Sequence, residues 1–335
     1  MRTLALEEHF ASQAFLEGPG RAFKESAMKS GGAGAARTFE QLGDVGTNRL
    51  AEMDAAGIDM QVLSLQYPGT EQLEVAEAIA IARDENDFLS DVVKKHPTRF
   101  AGFAALPTGA PGKAAEELER RVRQQNFKGA VIYGHNRGRY LDDKFYWPIL
   151  ECAQALNVPI YLHPTLPPKA VIEASYGGFS PAMTFLLAGP GWGWHIETGL
   201  HVIRMVVAGV FDRYPKLQFI VGHMGEALPF MLPRLERVGH SLPFMQASPS
   251  SSSTKLQRSL GDYLRQNVYY TFASFNFTAT FLDLLLEVGV ERIMFSTDYP
   301  YGSMAEAVDF LKHLPVSAAD RERIAHGNAA ELFKL

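Results

Sequence analysis

The sequence predicts an α/β chain closed into a (β/α)8 TIM barrel, and three observations predict it. Short β-rich runs alternate with helical patterns along nearly all 335 residues, and the runs number eight. No glycine-rich phosphate loop follows the first run. Parallel strands need crossover helices, so eight strands, each followed by a helix, fit a closed barrel. A doubly wound open sheet is the rival. It usually carries a GxGxxG turn after strand one, where this chain has His9 and Phe10.

The first strand is read at Leu4–Glu7 (LALE), and the helical RLAEMDAAGI leads into the second at Met60–Leu65 (MQVLSL). A long helix over Glu74–Lys95 follows, with Val75, Ile79, Ala82 and Phe88 on one face. Phe100–Leu106 is the third strand, Ala114–Gln125 an amphipathic helix, and Gly129–Tyr133 the fourth strand. Tyr146–Ala155 reads as a helix, Pro159–Leu162 as the fifth strand, His195–Val210 as a helix and Gln218–Gly222 as the sixth strand. Val268–Ala273 and Arg292–Ser296 complete the eight, with closing helices near Ala305–His313 and Ala318–His326. At about 150 residues per domain the length alone allows about two domains. The unbroken rhythm instead predicts one barrel domain over 1–335, with inserted loops at about 11–47, 165–194 and 241–262. The first holds GGAGAA and reads as flexible; the third holds QASPSSSSTK and reads as a solvated linker.

Hydrophobic residues make up 47% and charged residues 21%, enough apolar material for a sizeable core. A net charge of −5 without any Lys/Arg run speaks against nucleic acid or an anionic membrane as partner. The single cysteine, Cys152, permits no intramolecular disulfide and points to a reducing cytoplasm. The opening MRTLALEEHF meets Glu7 and Glu8 before an apolar stretch of signal-peptide length forms. The longest uncharged stretch, Ala174–Trp194, contains Pro181, Pro190 and five glycines, which suits a loop lining a cavity and not a membrane helix.

In a barrel enzyme the reactive side chains sit just past the C-terminal ends of the strands, which converge on one face. Glu7 and His9 end strand one; two apart on an extended chain, they point to one side while Glu8 points away. His163 ends strand five, His223 ends strand six with Glu226 three residues on, and Asp298 ends strand eight. Glu7, His9, His163 and Asp298 form an oxygen and nitrogen donor set suited to one Zn²⁺ or Mn²⁺, with Mg²⁺ possible and Ca²⁺ less suited.

The segments ALEEHF, YLHP, ETGLHVIRMVVAGVFDRYPKLQFIVGHMGE and RIMFSTDYP together resemble the amidohydrolase superfamily, whose barrels are of the metal-dependent hydrolase type. The resemblance runs from Leu4 to Phe333. It is nearest to the branch of non-oxidative aromatic acid decarboxylases, such as those of γ-resorcylate, 2,3-dihydroxybenzoate and 5-carboxyvanillate. It implies that Glu7, His9, His163 and Asp298 are the metal ligands. Asp298 would carry a proton to the ring carbon, and His223, partnered by Glu226, would assist. Binuclear hydrolases of that superfamily carry a bridging carboxylated lysine at the end of strand four; here Lys128 lies at the other end, so the resemblance implies a single ion.

The same ligands would also suit a hydrolase of a lactone or amide, with Asp298 as base for a metal-activated water; the branch favours decarboxylation. Aromatics at a barrel mouth suit a planar substrate. Trp194, after strand five, falls where the family has a pocket aromatic, and Tyr67, after strand two, is a further candidate wall residue beside Gln66. Arg234 matches a family arginine that reaches the substrate of a neighbouring subunit, which implies a homodimer or homotetramer.

Overall fold

The computed structural model describes residues 1–239 and 256–335. Its strands are β1 (Leu4–Phe10), β2 (Met60–Leu65), β3 (Phe100–Gly102), β4 (Ala104–Ala105), β5 (Ala130–Tyr133), β6 (Ile160–His163), β7 (Phe219–Val221), β8 (Val268–Thr271) and β9 (Ile293–Met294). All pair in parallel, in the orders β1-β2-β3 and β4-β5-β6-β7-β8-β9. β3 and β4 are two pieces of the predicted third strand, interrupted at Phe103, whose N–H donates to Leu63 O at 2.9 Å. At the other seam, Leu6 pairs in parallel with Ser296, and Leu6 N donates to Phe295 O at 3.1 Å. The two runs thus close into the expected eight-stranded barrel.

The barrel interior is packed by Leu4, Leu6, Val62, Ala101, Phe103, Val131, Tyr133, Tyr161, Ile220 and Met294, with Phe333 beneath them. A second, larger cluster lies between strands and helices and takes the alternate side chains, such as Ala5, Leu63, Ile132 and Leu162. This alternation bears on β1. Leu4 and Leu6 face inward, so unbroken alternation would turn Glu7 and His9 outward with Ala5. The register with β2 shifts by one residue between Ala5 and Glu8, and Glu7 adopts φ +60°. This bulge resets the phase and brings Glu7 and His9 inward, leaving Glu8 outward. The expectation that Glu7 and His9 share a side holds, but through a bulge and not through simple extension.

Three sequence readings are corrected. The segment at 11–47 is not a flexible loop: it forms the helices Gln13–Glu17 and Arg21–Gly43, the latter kinked at Gly32 with φ +53°. Phe15, Phe39 and Leu42 anchor it in the outer core, and apolar burial outweighs the glycine content. The segment at 165–194 carries a helix at Pro181–Ala188, begun by Pro181 and capped by Ser180. In the Val75–Lys95 helix the buried face is Ala78, Ala82, Glu85, Asn86 and Leu89, while Val75 and Phe88 are exposed. Asn86 sets that rotation by exchanging hydrogen bonds with both Ala105 O and Ala105 N, at 2.9 and 2.8 Å. The predicted linker QASPSSSSTK and most of the 241–262 insertion lie outside the described residues; from Ser259 a capping box with Asp262 starts the helix Leu260–Asn267. Among the described residues no helix is long and apolar enough to cross a membrane.

Candidate active site

The barrel's C-terminal rim brings Glu7, His9, His163 and Asp298 together, all buried, with one donor atom of each within 4.8 Å of the others. His163 Nε2 stands 3.3 Å from Glu7 Oε1, and His9 Nε2 stands 3.3 Å from Asp298 Oδ1. The backbone is bent to present them: Glu7, His223, Glu226, Ser274 and Asp298 all have φ between 49° and 61°, and Ala273 has φ 43°. Such conformations are costly for non-glycine residues and gather at functional sites.

The donor set fits a cation. His163 Nδ1 lies 2.8 Å from Pro164 O, so it carries the proton and leaves the Nε2 lone pair facing Glu7. Glu7 Oε1 is buried and has no hydrogen-bond partner, while Oε2 accepts from Tyr161 OH. Two lone-pair atoms facing each other at 3.3 Å repel unless a positive charge lies between them. That separation suits two ligands each about 2.0–2.2 Å from one shared ion. Two carboxylates and two imidazoles match a Zn²⁺- or Mn²⁺-type site. Burial pushes the Glu7 carboxyl up to about 8, Asp298 adding to the rise and His223 opposing it. Burial also holds His163 well below the usual histidine range, so its ring is neutral and free to ligate.

Gly222 is required by this packing. A Cβ there would fall 2.5 Å from Glu7 Oε2 and 3.0 Å from Tyr161 OH. Behind this cluster, Tyr133 OH and Ser64 Oγ each lie 3.4 Å from His9 Nδ1, and Ser274 Oγ donates to Asp298 Oδ2 at 3.1 Å.

Beside this cluster, His223 directs Nδ1 to Glu226 Oε1 at 2.7 Å and keeps Nε2 3.9 Å from Glu7 Oε1. Burial disfavours a charge on His223, yet the carboxylates of Glu226 and Glu7 outweigh it and hold the ring up to about 10. Burial likewise opposes the Glu226 charge, and His223 and His195 overcome it, leaving this carboxyl below its ordinary range. His195, which the sequence places at a helix start where it could touch the site, does so: its Nδ1 lies 2.6 Å from Glu226 Oε2. The available signal was its place next to Trp194.

Tyr67 meets Trp194 edge-on at 6.4 Å between ring centroids, Tyr133 at 6.0 Å and Phe23 at 5.5 Å. Phe23 comes from the Arg21–Gly43 helix, so the insertion after β1 contributes to the rim, which no sequence signal had indicated. Phe275 packs against His223 and His195 at 5.4 and 5.3 Å. Arg234 is not brought to this cluster. It is exposed on the Leu228–Gly239 helix and makes no hydrogen bond or ion pair among the described residues. Lys128 sits at the opposite end of the barrel, its Nζ 3.4 Å from Phe333 O.

Comparison with known proteins gives the family. The amidohydrolase family model matches residues 38–335. The γ-resorcylate decarboxylase of Polaromonas sp. (strain JS666) is 38% identical over 99% of this chain and 98% of its own. A crystal structure of 2,6-dihydroxybenzoate decarboxylase complexed with 2,6-dihydroxybenzoate superposes with a TM-score of 0.87 at 35% identity, covering all of both chains. That of 5-carboxyvanillate decarboxylase from Novosphingobium aromaticivorans, complexed with manganese and 4-hydroxy-3-methoxy-5-nitrobenzoic acid, gives 0.91 at 32% identity, covering 100% of this chain and 96% of the other. With the strand-end donor set already in place, these matches decide the kinship: the chain belongs to the amidohydrolase family.

Proposed function

We propose that the chain is a metal-dependent, non-oxidative decarboxylase of a hydroxylated benzoate-type acid, a carbon–carbon lyase acting as a single barrel domain over 1–335. The observation that carries this reading is full-length similarity, at 38% and 35% identity, to decarboxylases of dihydroxybenzoates. In it, Glu7, His9, His163 and Asp298 hold one divalent ion. The manganese in the 5-carboxyvanillate decarboxylase structure favours Mn²⁺ over Zn²⁺. When bound, the ion would supply positive charge that stabilises the anionic acid.

Asp298 gives a proton to the ring carbon that bears the carboxylate. The bond from that carbon to the carboxylate carbon then breaks, its electron pair returns to the ring, and CO₂ leaves. One proton is taken up for each CO₂ released. Ser274 orients Asp298 through Oδ2. His223, oriented by Glu226, presents Nε2 towards the same space and serves as proton partner. Tyr67 and Trp194 form the aromatic wall for the ring. Arg234 is assigned to the site of a second copy in a homodimer or homotetramer. The exposed apolar side chains of Phe185, Leu186, Trp192 and Phe230 support such an assembly. The single cysteine, half-buried Cys152, suits the cytoplasm.

The test is to load the purified chain with Mn²⁺ and supply a hydroxybenzoate panel that includes 2,6-dihydroxybenzoate and 5-carboxyvanillate. CO₂ and the corresponding phenol in equal amounts are the expected products. No CO₂ from any member, together with hydrolysis of a lactone or amide, would replace this reading with a metal-activated water.

A further inference from the structure

We infer that His195 is a positioning residue that joins the aromatic wall to the proton-handling pair, holding Glu226 with one ring nitrogen and Trp194 with the other. The inference rests on the decarboxylase reading above. The Glu226 side chain is fully buried, and its two oxygens are divided: Oε1 lies 2.7 Å from His223 Nδ1 and Oε2 lies 2.6 Å from His195 Nδ1. His223 supplies a donor to one oxygen only. Without His195, Oε2 would be a buried anionic acceptor with no donor among the described residues, a costly state. The proton of His195 therefore sits on Nδ1.

That leaves Nε2 as an acceptor, and the indole N–H of Trp194, which can only donate, lies 3.0 Å from it. Pro190 O is also 3.0 Å from Nε2, but it would need a protonated nitrogen, which would oppose the indole N–H. The tautomer with Nδ1–H satisfies both Glu226 and Trp194. Local structure holds it there. His195 lies in the first turn of the Gly193–Val207 helix, and Gly199, one turn on, shares its face. A Cβ at Gly199 would fall 2.8 Å from Glu226 O, so the helix rests directly against Glu226. The His195 ring also packs edge-on against His223 at 4.7 Å. A continuous path then runs from Tyr67 through Trp194, His195 and Glu226 to His223.

Two conservative variants separate the halves of this role. Asparagine places an amide nitrogen near the Nδ1 position, whereas glutamine places an amide oxygen near the Nε2 position. His195→Asn is expected to keep kcat within about twofold and to raise the KM for the hydroxybenzoate about tenfold, with the Trp194 indole N–H resonance moved upfield. His195→Gln is expected to keep KM and the resonance while lowering kcat by about 10–100-fold. His195→Ala should show both losses. The resonance is read in ¹⁵N-tryptophan-labelled, Mn²⁺-loaded protein and assigned by its loss in Trp194→Phe. Equal effects of Asn and Gln on both constants, or wild-type constants in His195→Ala, would overturn the inference. If the wild-type chain releases no CO₂, the decarboxylase reading fails by itself. The inference then stands or falls on the indole resonance, and an unchanged resonance in His195→Ala overturns it.

Discussion

Glu8 accepts both the backbone N–H and the hydroxyl of Thr297, at 2.8 and 2.6 Å, one residue before Asp298. The outward-facing residue between Glu7 and His9 therefore ties β1 to the segment that presents Asp298. The same carboxylate accepts from Gln61 Nε2 at 2.8 Å. Gln61 Oε1 in turn accepts from Arg49 Nε at 2.8 Å, and Arg49 Nη1 donates to His9 O at 2.7 Å. Both the Glu7–His9 bulge and the Asp298 turn are thus held from behind by one buried network.

Glu8→Ala strands three buried donors and removes the carboxylate that most supports the charge of the buried Arg49 guanidinium. We expect it to lower stability by about 3–5 kcal/mol in urea unfolding. Thr297→Val removes one of these bonds and should cost about 1 kcal/mol. Equal costs for the two would show that the network does not converge on Glu8.

Gly222→Ala drives a methyl group into the Glu7 carboxylate. The wild-type chain is expected to bind one divalent ion per chain by elemental analysis after Mn²⁺ loading. The variant should bind it at least about tenfold more weakly while remaining folded. Full occupancy with unchanged affinity would separate Glu7 from the ion.

Asp298→Asn keeps the side chain's size and removes the acid. Turnover of the hydroxybenzoate is expected to fall by about 10³-fold or more, with the thermal midpoint within a few degrees of wild type. An active Asp298→Asn enzyme would take Asp298 out of the proton-transfer role.

Complementation tests the assignment of Arg234 to a neighbouring site. Arg234→Ala and Asp298→Asn subunits, each inactive alone, are unfolded together and refolded at equal amounts. Half of the dimers are then mixed, and each holds one complete site, so about a quarter of wild-type activity should return. No recovery on mixing would place Arg234 outside a shared site.

His201 supplies a pH dependence away from the rim cluster. It is fully buried, its Nε2 accepts Leu141 N–H at 2.9 Å, and burial lowers it to about 3, helped by His135 and Arg204. The folded ring therefore binds its proton less readily than the unfolded one. This stability is fully present above about pH 6.5 and is lost as pH falls from there towards 3, by about 1.4 kcal/mol per pH unit. His201→Gln, whose amide oxygen can accept the same N–H, should flatten that part of the curve. Identical slopes for the two proteins between pH 6 and 4 would exclude His201 as the cause.

The strand succession, the closed barrel and the cluster of donor residues at its rim were readable from local sequence patterns. Each strand's apolar period and the polar residue that ends it are written within a few neighbouring residues, and parallel closure gathers those ends on one face. Glu7, His9, His163 and Asp298 were legible for that reason, as was the His223–Glu226 pair three residues apart. Tertiary structure decided what depends on packing between distant segments. The phase of Glu7 follows from a bulge against β2, since unbroken alternation from Leu4 and Leu6 would have turned it outward. The glycine-rich stretch after β1 became a helix that lends Phe23 to the rim because Phe15, Phe39 and Leu42 found a core to enter. His195 meets Glu226 across 31 positions only because two segments press together at Gly199. Local patterns carry period and propensity, whereas the partner that satisfies a buried charge is chosen by the closed fold.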